Sequence, residues 1–220
     1  MRSTLLASSS YGKFVPTTHT PTTHSIRLET PAPLSRMALT LAADRLYLLN
    51  GKGHLICLFF QEQSVSTLTT HSLSHFVPLS HNPHALLATN AQHELIRVAF
   101  HNKSTQKFMN LNLIRPKDLS LNQLTQLALV VETRLALVVD YSVQNGGKLQ
   151  SLKPPNGSLF LSGRFLNQNR WIVLVVKDSE GISLWTVEVH GMKVVSQVRL
   201  DVDIKDARLE PSPDGKTVAI

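Results

Sequence analysis

Between residues 36 and 220 the apolar residues occur in short runs that polar residues interrupt every few positions. "DRLYLLN", Asp44 to Asn50, is followed by Gly-Lys-Gly and "HLICLFF". "HALLATN", His84 to Asn90, is followed by Ala-Gln-His and "ELIRVAF", so the two stretches superimpose. Each predicts a strand, a three-residue turn and a second strand, which is a β-hairpin with a short loop.

A longer meander is predicted near the end of the chain. Its three strands are Trp171–Val176, Ile182–Val189 and Lys193–Leu200. The turns between them fall at Ser179-Glu180-Gly181 and at His190-Gly191, where glycine supplies a positive φ. Polar and apolar residues alternate along the second strand, as expected for an element whose side chains point to opposite faces in turn.

The hairpins recur along the chain. Taking one apolar anchor for each unit, Leu46, Leu86, Leu135, Ile172 and Val218 are 40, 49, 37 and 46 residues apart. Antiparallel strands repeating at such intervals are typical of propeller blades, which bury their faces against neighbouring blades. We therefore predict an all-β chain: a partial β-propeller of four-stranded antiparallel blades, with about four blades and the start of another in residues 36–220.

Two motifs resemble those of WD40-like and related propellers. "SPDGKTVAI", Ser212 to Ile220, is similar to the start of a blade, where a Ser-Pro-Asp-Gly turn precedes an apolar strand. "GISLWTVE" resembles the strand that ends a WD40 repeat, with Trp185 in place but Thr186 where the family has Asp. The resemblance covers residues 36–220 and implies a protein-interaction scaffold. Four blades do not close a seven-bladed ring, so the chain is expected to be an N-terminal fragment or a truncated gene product.

"RPKDLSLNQLTQ", Arg115 to Gln126, departs from the strand pattern. Leu121, Leu124 and Leu127 are spaced by three, so the segment is either a loop or a short helix. The simplest interpretation is an insertion between blades.

Histidines cluster in "THSLSHFVPLSHNPH", residues 70–84. The cluster comprises His71, His75, His81 and His84, with His54 and His93 nearby. Imidazole is a common metal ligand, but this spacing matches no zinc motif. Because Pro78 and Pro83 interrupt regular structure, we predict a polar loop that joins two blades, and no metal site.

No catalytic or cofactor-binding residue is predicted. Ser, His and acidic residues are present, but no Gly-x-Ser-x-Gly elbow occurs. "GKGHL" at Gly51 and "NGGKL" at Asn145 lack the residues that phosphate-binding loops need, so hairpin turns explain both. The expectation is a protein that is not an enzyme and carries no cofactor.

Several other residues that could carry a function are explained by packing or by chance occurrence. Cys57 is the only cysteine and lies in an apolar run, which indicates a buried, inert thiol. Trp171 and Trp185 fit blade packing better than an interface. The glycosylation sequons at Asn102 and Asn156 are treated as chance.

Residues 1–35 are predicted to be a flexible, disordered leader. The first 28 residues contain Arg2, Lys13 and Arg27 but no acid, and eleven of them are Ser or Thr. A mitochondrial transit peptide has the same composition and is the alternative. We otherwise expect a cytoplasmic or nuclear protein, since no secretory signal or membrane-spanning run occurs.

The charge balance bears on the partners. The net charge is +7 and the isoelectric point is about 9.8, which favours RNA or an acidic protein surface. The basic residues are dispersed and no aromatics are interleaved with them, so a solvating surface explains them better than nucleic-acid binding. Two functions are compatible with these features: a scaffold that binds other proteins, with an RNA-associated assembly as one setting, or the propeller portion of a larger enzyme or ligand-binding protein.

Overall fold

The structure is a computed structural model. It describes residues 2–8, 23–29, 32–39, 44–60, 62, 64–68, 72–80, 82–100, 104–111, 115–143, 147–166, 170–201, 209–211 and 218–219. All regular secondary structure in these residues is strand, which confirms the predicted all-β class. None of the described segments forms a helix that could span a membrane. The chain divides into two compact units, Met1–Ser72 and Leu73–Ile220.

The first unit contains a two-stranded ladder and one four-stranded sheet. The ladder pairs β1 (Arg2–Ser8) with β2 (Thr23–Glu29), both inside the predicted leader. The sheet has the order β3-β4-β5-β6, with β3 (Leu34–Leu39), β4 (Arg45–Asn50), β5 (Leu55–Phe59) and β6 (Ser64–Leu68). We call this sheet blade 1.

The second unit contains three further four-stranded antiparallel sheets, each in sequence order. Blade 2 comprises β7 (Leu73–Leu79), β8 (Asn82–Asn90), β9 (Glu94–Ala99) and β10 (Ser104–Asn110). Blade 3 comprises β11 (Asp118–Asn122), β12 (Leu127–Glu132), β13 (Leu135–Asp140) and β14 (Gly147–Leu152). Blade 4 comprises β15 (Leu159–Phe165), β16 (Trp171–Asp178), β17 (Gly181–Glu188) and β18 (Lys193–Leu200), so the predicted meander is confirmed.

The middle strands of blade 3 are buried on both faces. Ala128 and Val130 of β12 lie in a core shared with blade 2, whereas Leu129 and Val131 lie in a core shared with blade 4. Because both faces lose contact with water, β12 is a continuous apolar run rather than an alternation. Full burial of each large apolar side chain is worth roughly 1.5–3 kcal/mol, which is why stacked blades stabilise one another.

The first strands of blades 2, 3 and 4 lie side by side. β11 contacts both β7 and β15, while the fourth strand of blade 4, β18, is largely exposed. Gly163 of β15 is packed so closely that a Cβ there would lie 2.7 Å from Leu174 Cδ2 and 2.8 Å from Val131 Cγ2. A side chain at this position of the junction between blades 3 and 4 would require the side chains of Leu174 and Val131 to shift.

The superposition of the two hairpins is confirmed in detail. The Asn50 side-chain Oδ1 accepts hydrogen bonds from the backbone N–H groups of Lys52 and His54, each at 3.0 Å. Asn90 Oδ1 accepts one from the N–H of Glu94 at 2.9 Å. The third turn residue has positive φ in both hairpins, 79° at Gly53 and 59° at His93. Asn at the end of the first strand is therefore the local signal that ends it.

Two interpretations of the sequence were wrong. The segment Arg115 to Gln126 is not an inserted loop or helix, because it contains β11 and the turn into β12. The stretch 70–84 is not simply a loop, since it contains β7 and the start of β8. Pro78 is compatible with β7 because the strand pairing shifts register directly after it.

The last described strands are β19 (Glu210–Pro211) and β20 (Val218–Ala219), which pair with each other. The predicted strand at Val218 therefore exists, and its partner is β19. The predicted turn of Ser212 to Gly215 lies outside the described residues.

Candidate functional site

A cavity of about 240 Å³ lies in the junction between blades 2 and 3. Its lining residues are Leu79, Arg97, Gln106, Phe108, Gln126, Tyr141 and Ser142. Leu79, Phe108 and Tyr141 also belong to the apolar core of this junction. The cavity thus begins where the apolar packing between the two sheets gives way to long polar side chains.

Arg97 is placed in the cavity by the register of blade 2. It pairs with Leu87 on β8 and with Gln106 on β10. Leu87 belongs to the core that faces blade 3, so Arg97 lies on that same face. It is half-buried and makes no ion pair with any residue that the structure describes. Among the residues that the structure describes, this guanidinium has no counter-charge of the kind that buried cations usually have.

Tyr141 also lines the cavity. It follows β13, its backbone N–H donates to the Gln126 carbonyl at 3.0 Å, and the residue is only 5% exposed. Its hydroxyl is buried and has no hydrogen-bond partner among the described residues. Burial, followed by the nearby Asp140 carboxylate, raises the pKa of Tyr141 from 10.0 to about 12. The hydroxyl is therefore protonated at neutral pH and can donate.

The turns of blades 2 and 3 are held together beside the cavity. Gln123, in the turn between β11 and β12, accepts a hydrogen bond from the Ser80 backbone N–H through Oε1. Its Nε2 donates to the Pro78 carbonyl at 3.2 Å. These contacts place the β7–β8 and β11–β12 turns at the same end of the unit, which we call the first-turn end. In an antiparallel meander the β13–β14 connection lies at that end too.

Exposed apolar side chains lie next to the cavity in sequence. Leu124 is 83% exposed and precedes Gln126 by two residues. Val143 is 52% exposed and follows Ser142. Exposed apolar residues that form a contiguous patch are a feature of protein-binding surfaces.

The junction between blades 3 and 4 contains a polar cluster. Asp118, only 3% exposed, accepts hydrogen bonds through Oδ2 from Ser162 Oγ at 2.5 Å and Arg164 Nη1 at 2.5 Å. The Gly163 N–H donates to the same oxygen at 3.3 Å, and Leu119 N–H donates to Oδ1 at 3.0 Å. Each of these donors comes from β11 or β15, so the ion pair joins the two first strands.

The histidines are not brought together. His75 is buried in β7, and its Nε2–H donates to the Lys117 carbonyl at 2.6 Å, which links blade 2 to the start of blade 3. His84 is exposed, and His93 occupies a turn. His71 and His81 lie outside the described residues. In the part of the chain that the structure describes, no three His, Cys, Asp or Glu residues form a potential metal site.

The residues assigned to packing lie in or beside the core. Cys57 is fully buried, and burial raises the pKa of its thiol from 9.0 to about 12, as expected for an inert cysteine. Trp185 is buried, contacts Phe160 edge to face, and its Nε1–H donates to Ser183 Oγ at 3.1 Å. Trp171 is half-buried beneath the Arg170 guanidinium.

Some residues of the predicted hairpin turns and glycosylation sequons lie outside the described residues. Gly51 lies in a hairpin turn as predicted, and its N–H donates to the Pro33 carbonyl at 2.8 Å. Asn156 is exposed in the turn before β15. Asn102 and Asn145 lie outside the described residues.

Sequence reasoning missed Arg97, Tyr141, Asp118 and Arg164. One signal was present: Arg97 in "LIRVAF" and Arg164 in "FLSGRFL" each interrupt an apolar strand. A charge inside a buried strand needs either a partner or a function. The sequence shows the interruption but not which arginine has a carboxylate beside it.

Comparison with known proteins supports the fold alone. No protein-family model matches the chain, and no curated protein matches it. The β-propeller domain of Myceliophteria thermophila Cps50 (Swd1) is similar in structure, with a TM-score of 0.68 and 10% identity, covering 86% of this chain and 62% of that one. Kuenenia stuttgartiensis hydrazine synthase is similar with a TM-score of 0.70 and 14% identity, covering 94% of this chain and 58% of that one.

These neighbours confirm a partial β-propeller fold for the chain. The chain spans less than two thirds of the length of either neighbour. At such identities the likeness carries no activity or partner from one protein to the other.

Proposed function

We propose that the chain is a non-enzymatic interaction module of the propeller type that binds a partner protein at the first-turn end of blades 2 and 3. The observation that carries the proposal is the cavity in that junction, whose lining residues Gln126 and Ser142 have exposed Leu124 and Val143 close to them in sequence. Partner surfaces of this kind combine a pocket that anchors one side chain with an apolar surround that excludes water.

Site-specific photocrosslinking tests the proposal. A benzophenone amino acid at position 124 is compared with the same residue at position 198, because Val198 is also exposed, at 54%, but lies on β18 of blade 4. We expect a defined protein to crosslink at position 124 and not at 198. Equal crosslinking at both positions, or none at 124, would contradict a binding surface at the first-turn end.

An RNA-associated assembly is the setting that the net charge of +7 supports. Electrostatic contact with RNA phosphates makes affinity fall steeply with salt. Binding of a single-stranded RNA probe, measured at low salt and again at several times that salt, tests this part of the proposal separately, and an affinity that does not change with salt argues against it. A cytoplasmic or nuclear location is proposed with it, to be tested by imaging a tagged chain.

The alternative function is the propeller portion of a larger enzyme or ligand-binding protein, with catalysis in another region. The likeness to hydrazine synthase is the observation that favours it. A catalytic domain encoded in the same reading frame would support this alternative, whereas a helical-repeat extension would favour the interaction module.

A further inference from the structure

Arg97 differs from the arginines of this chain whose ion pairs are defined. Those pairs are Arg45 with Asp44, Arg164 with Asp118, Arg170 with Glu188, and Arg199 with Asp178 and Glu180. Arg97 is half-buried at the cavity, yet it has no carboxylate partner among the described residues. Partial burial of a charge without a partner is unfavourable. An anionic ligand that pairs with the guanidinium removes this penalty, which favours binding.

The other polar groups of the cavity also favour a ligand that accepts hydrogen bonds. The Tyr141 hydroxyl is buried and unpartnered among the described residues. The side-chain amides of Gln106 and Gln126 line the same space. The acid next to Tyr141 in sequence, Asp140, already accepts hydrogen bonds through Oδ1 from the Ser142 N–H at 2.8 Å and the Ser142 hydroxyl at 2.5 Å. The cavity therefore presents one positive charge and two amides that can each donate or accept a hydrogen bond.

The size of the cavity limits the ligand. A volume of about 240 Å³ lies below the roughly 300–1,000 Å³ of pockets that enclose drug-sized molecules or cofactors. It is large enough for the end of one amino-acid side chain. It is too small to enclose a whole nucleotide or cofactor.

The charge of the cavity selects between anions. Sites that recognise phosphorylated residues use clusters of arginines, because the phosphate carries nearly two negative charges. Only Arg97 among the lining residues is charged. A carboxylate, with one negative charge and a planar pair of oxygens, matches a single guanidinium and a neutral hydroxyl donor.

We infer that this cavity receives an Asp or Glu side chain of the partner protein, with Arg97 pairing the carboxylate and Tyr141 donating a hydrogen bond to it. The inference rests on the proposed function, since it names the partner group that the first-turn end binds. The chain's basic character adds to the attraction for an acidic partner surface and accelerates encounter.

Selection from a displayed random-peptide library against the full 220-residue chain tests the inference. We expect enriched peptides to share one invariant Asp or Glu. The affinity of a synthetic enriched peptide is then measured by fluorescence polarisation, with the melting transition of every variant recorded. Arg97→Gln should weaken binding at least about 10-fold, and Tyr141→Phe about 3- to 10-fold.

Arg115→Gln is the matched control. Arg115 is exposed and precedes β11, so it lies at the opposite end of that strand from the turn beside the cavity. The same change of charge there should alter affinity by less than about twofold, because an exposed charge far from the site contributes little. Arg97→Glu should reverse the selection toward peptides with Lys or Arg, a gain of specificity that misfolding cannot produce.

Each of the other possible outcomes contradicts one specific claim. Enriched peptides that contain no Asp or Glu, and that bind the Arg97→Gln protein as tightly as the unchanged protein, would contradict the inference that the cavity binds a carboxylate. The proposed protein-binding function would not be affected. A phosphoserine that binds more tightly than Asp or Glu at the invariant position would overturn the choice of anion. No enrichment, together with equal crosslinking at positions 124 and 198, would overturn the proposed function itself.

Discussion

Each of the two junctions of blade 3 contains an arginine, but only one of these arginines has a carboxylate partner among the described residues. At the junction with blade 4, Arg164 pairs with the buried Asp118, which has further donors from the backbone and Ser162. At the junction with blade 2, Arg97 lines a cavity and has no carboxylate partner among the described residues. A charge whose partner lies in the fold holds two sheets together, whereas a charge whose partner is absent from the described fold is available to a ligand.

The energetics of the two arginines differ for the same reason. A buried pair contributes little net stability, because desolvation of both ions offsets their attraction. Removing one partner is costly, since the remaining charge stays buried and uncompensated. Arg97 has no such internal partner to lose among the described residues, so its substitution is expected to affect binding more than folding.

The largest expected effect comes from breaking the pair at the junction with blade 4. Asp118→Ala leaves Arg164 and the N–H groups of Leu119 and Gly163 without this acceptor. We expect the free energy of unfolding to fall by about 3–5 kcal/mol, measured by urea denaturation.

The double variant Asp118→Leu with Arg164→Met is the control for this prediction. It removes both charges, so most of the loss should be recovered. A loss of less than about 1 kcal/mol in Asp118→Ala, the value of an ordinary hydrogen bond, would show that the ion pair does not hold the two first strands together.

Alkaline pH tests the other junction. The pKa of Tyr141 is about 12 in the fold and 10.0 ordinarily, so the unfolded chain loses its proton first. The stabilisation is complete below pH 10 and is lost as the pH rises to about 12, by about 2–3 kcal/mol for a pKa raised from 10.0 to about 12. Tyr141→Phe should remove this loss, as shown by denaturant melts at a series of pH values that begins below 10 and ends at about 12.

Other groups also titrate in this range. The pKa values of Tyr47 and Cys57 are each raised to about 12, mainly by burial. Both remain in the Tyr141→Phe protein, so their contributions cancel in the comparison. Parallel pH profiles for the two proteins would show that the phenol is not desolvated at this junction.

The hairpins were predictable from the sequence because their signals are local. Stacking buries both faces of the middle strands, so they appear as apolar runs, and Asn50 and Asn90 end their strands by accepting backbone hydrogen bonds. The first strand of blade 3 also ends in such an Asn, because Asn122 Oδ1 accepts hydrogen bonds from the N–H groups of Leu124 and Thr125, but it has no apolar run. Asp118, Ser120 and Asn122 of β11 are buried, but as polar residues, so a hydrophobic pattern could not identify that strand.

The candidate site was not predictable for a different reason. Arg97 lies on β9 and Tyr141 follows β13, in separate sheets, and their common cavity exists only because blade 2 packs on blade 3. No pattern within either strand encodes that contact. What the sequence does show is the interruption of an apolar strand by Arg97, which marks a position to inspect once the packing is known.

The smallest expected effect comes from giving Arg97 a partner within the fold. Gln106 lies opposite Arg97 on β10, so Gln106→Glu places a carboxylate across the strand pair. An opposite-charge pair of this kind adds about 0.2–1 kcal/mol to the free energy of unfolding, less at high salt.

The same carboxylate should compete with an acidic peptide, so binding falls although stability rises. Gln197→Glu, the matched change on exposed β18, should do neither. If the Gln106→Glu protein is more stable but binds the acidic peptide as tightly as before, Arg97 pairs with the introduced carboxylate without weakening peptide binding. The carboxylate of the peptide would then be bound by another residue.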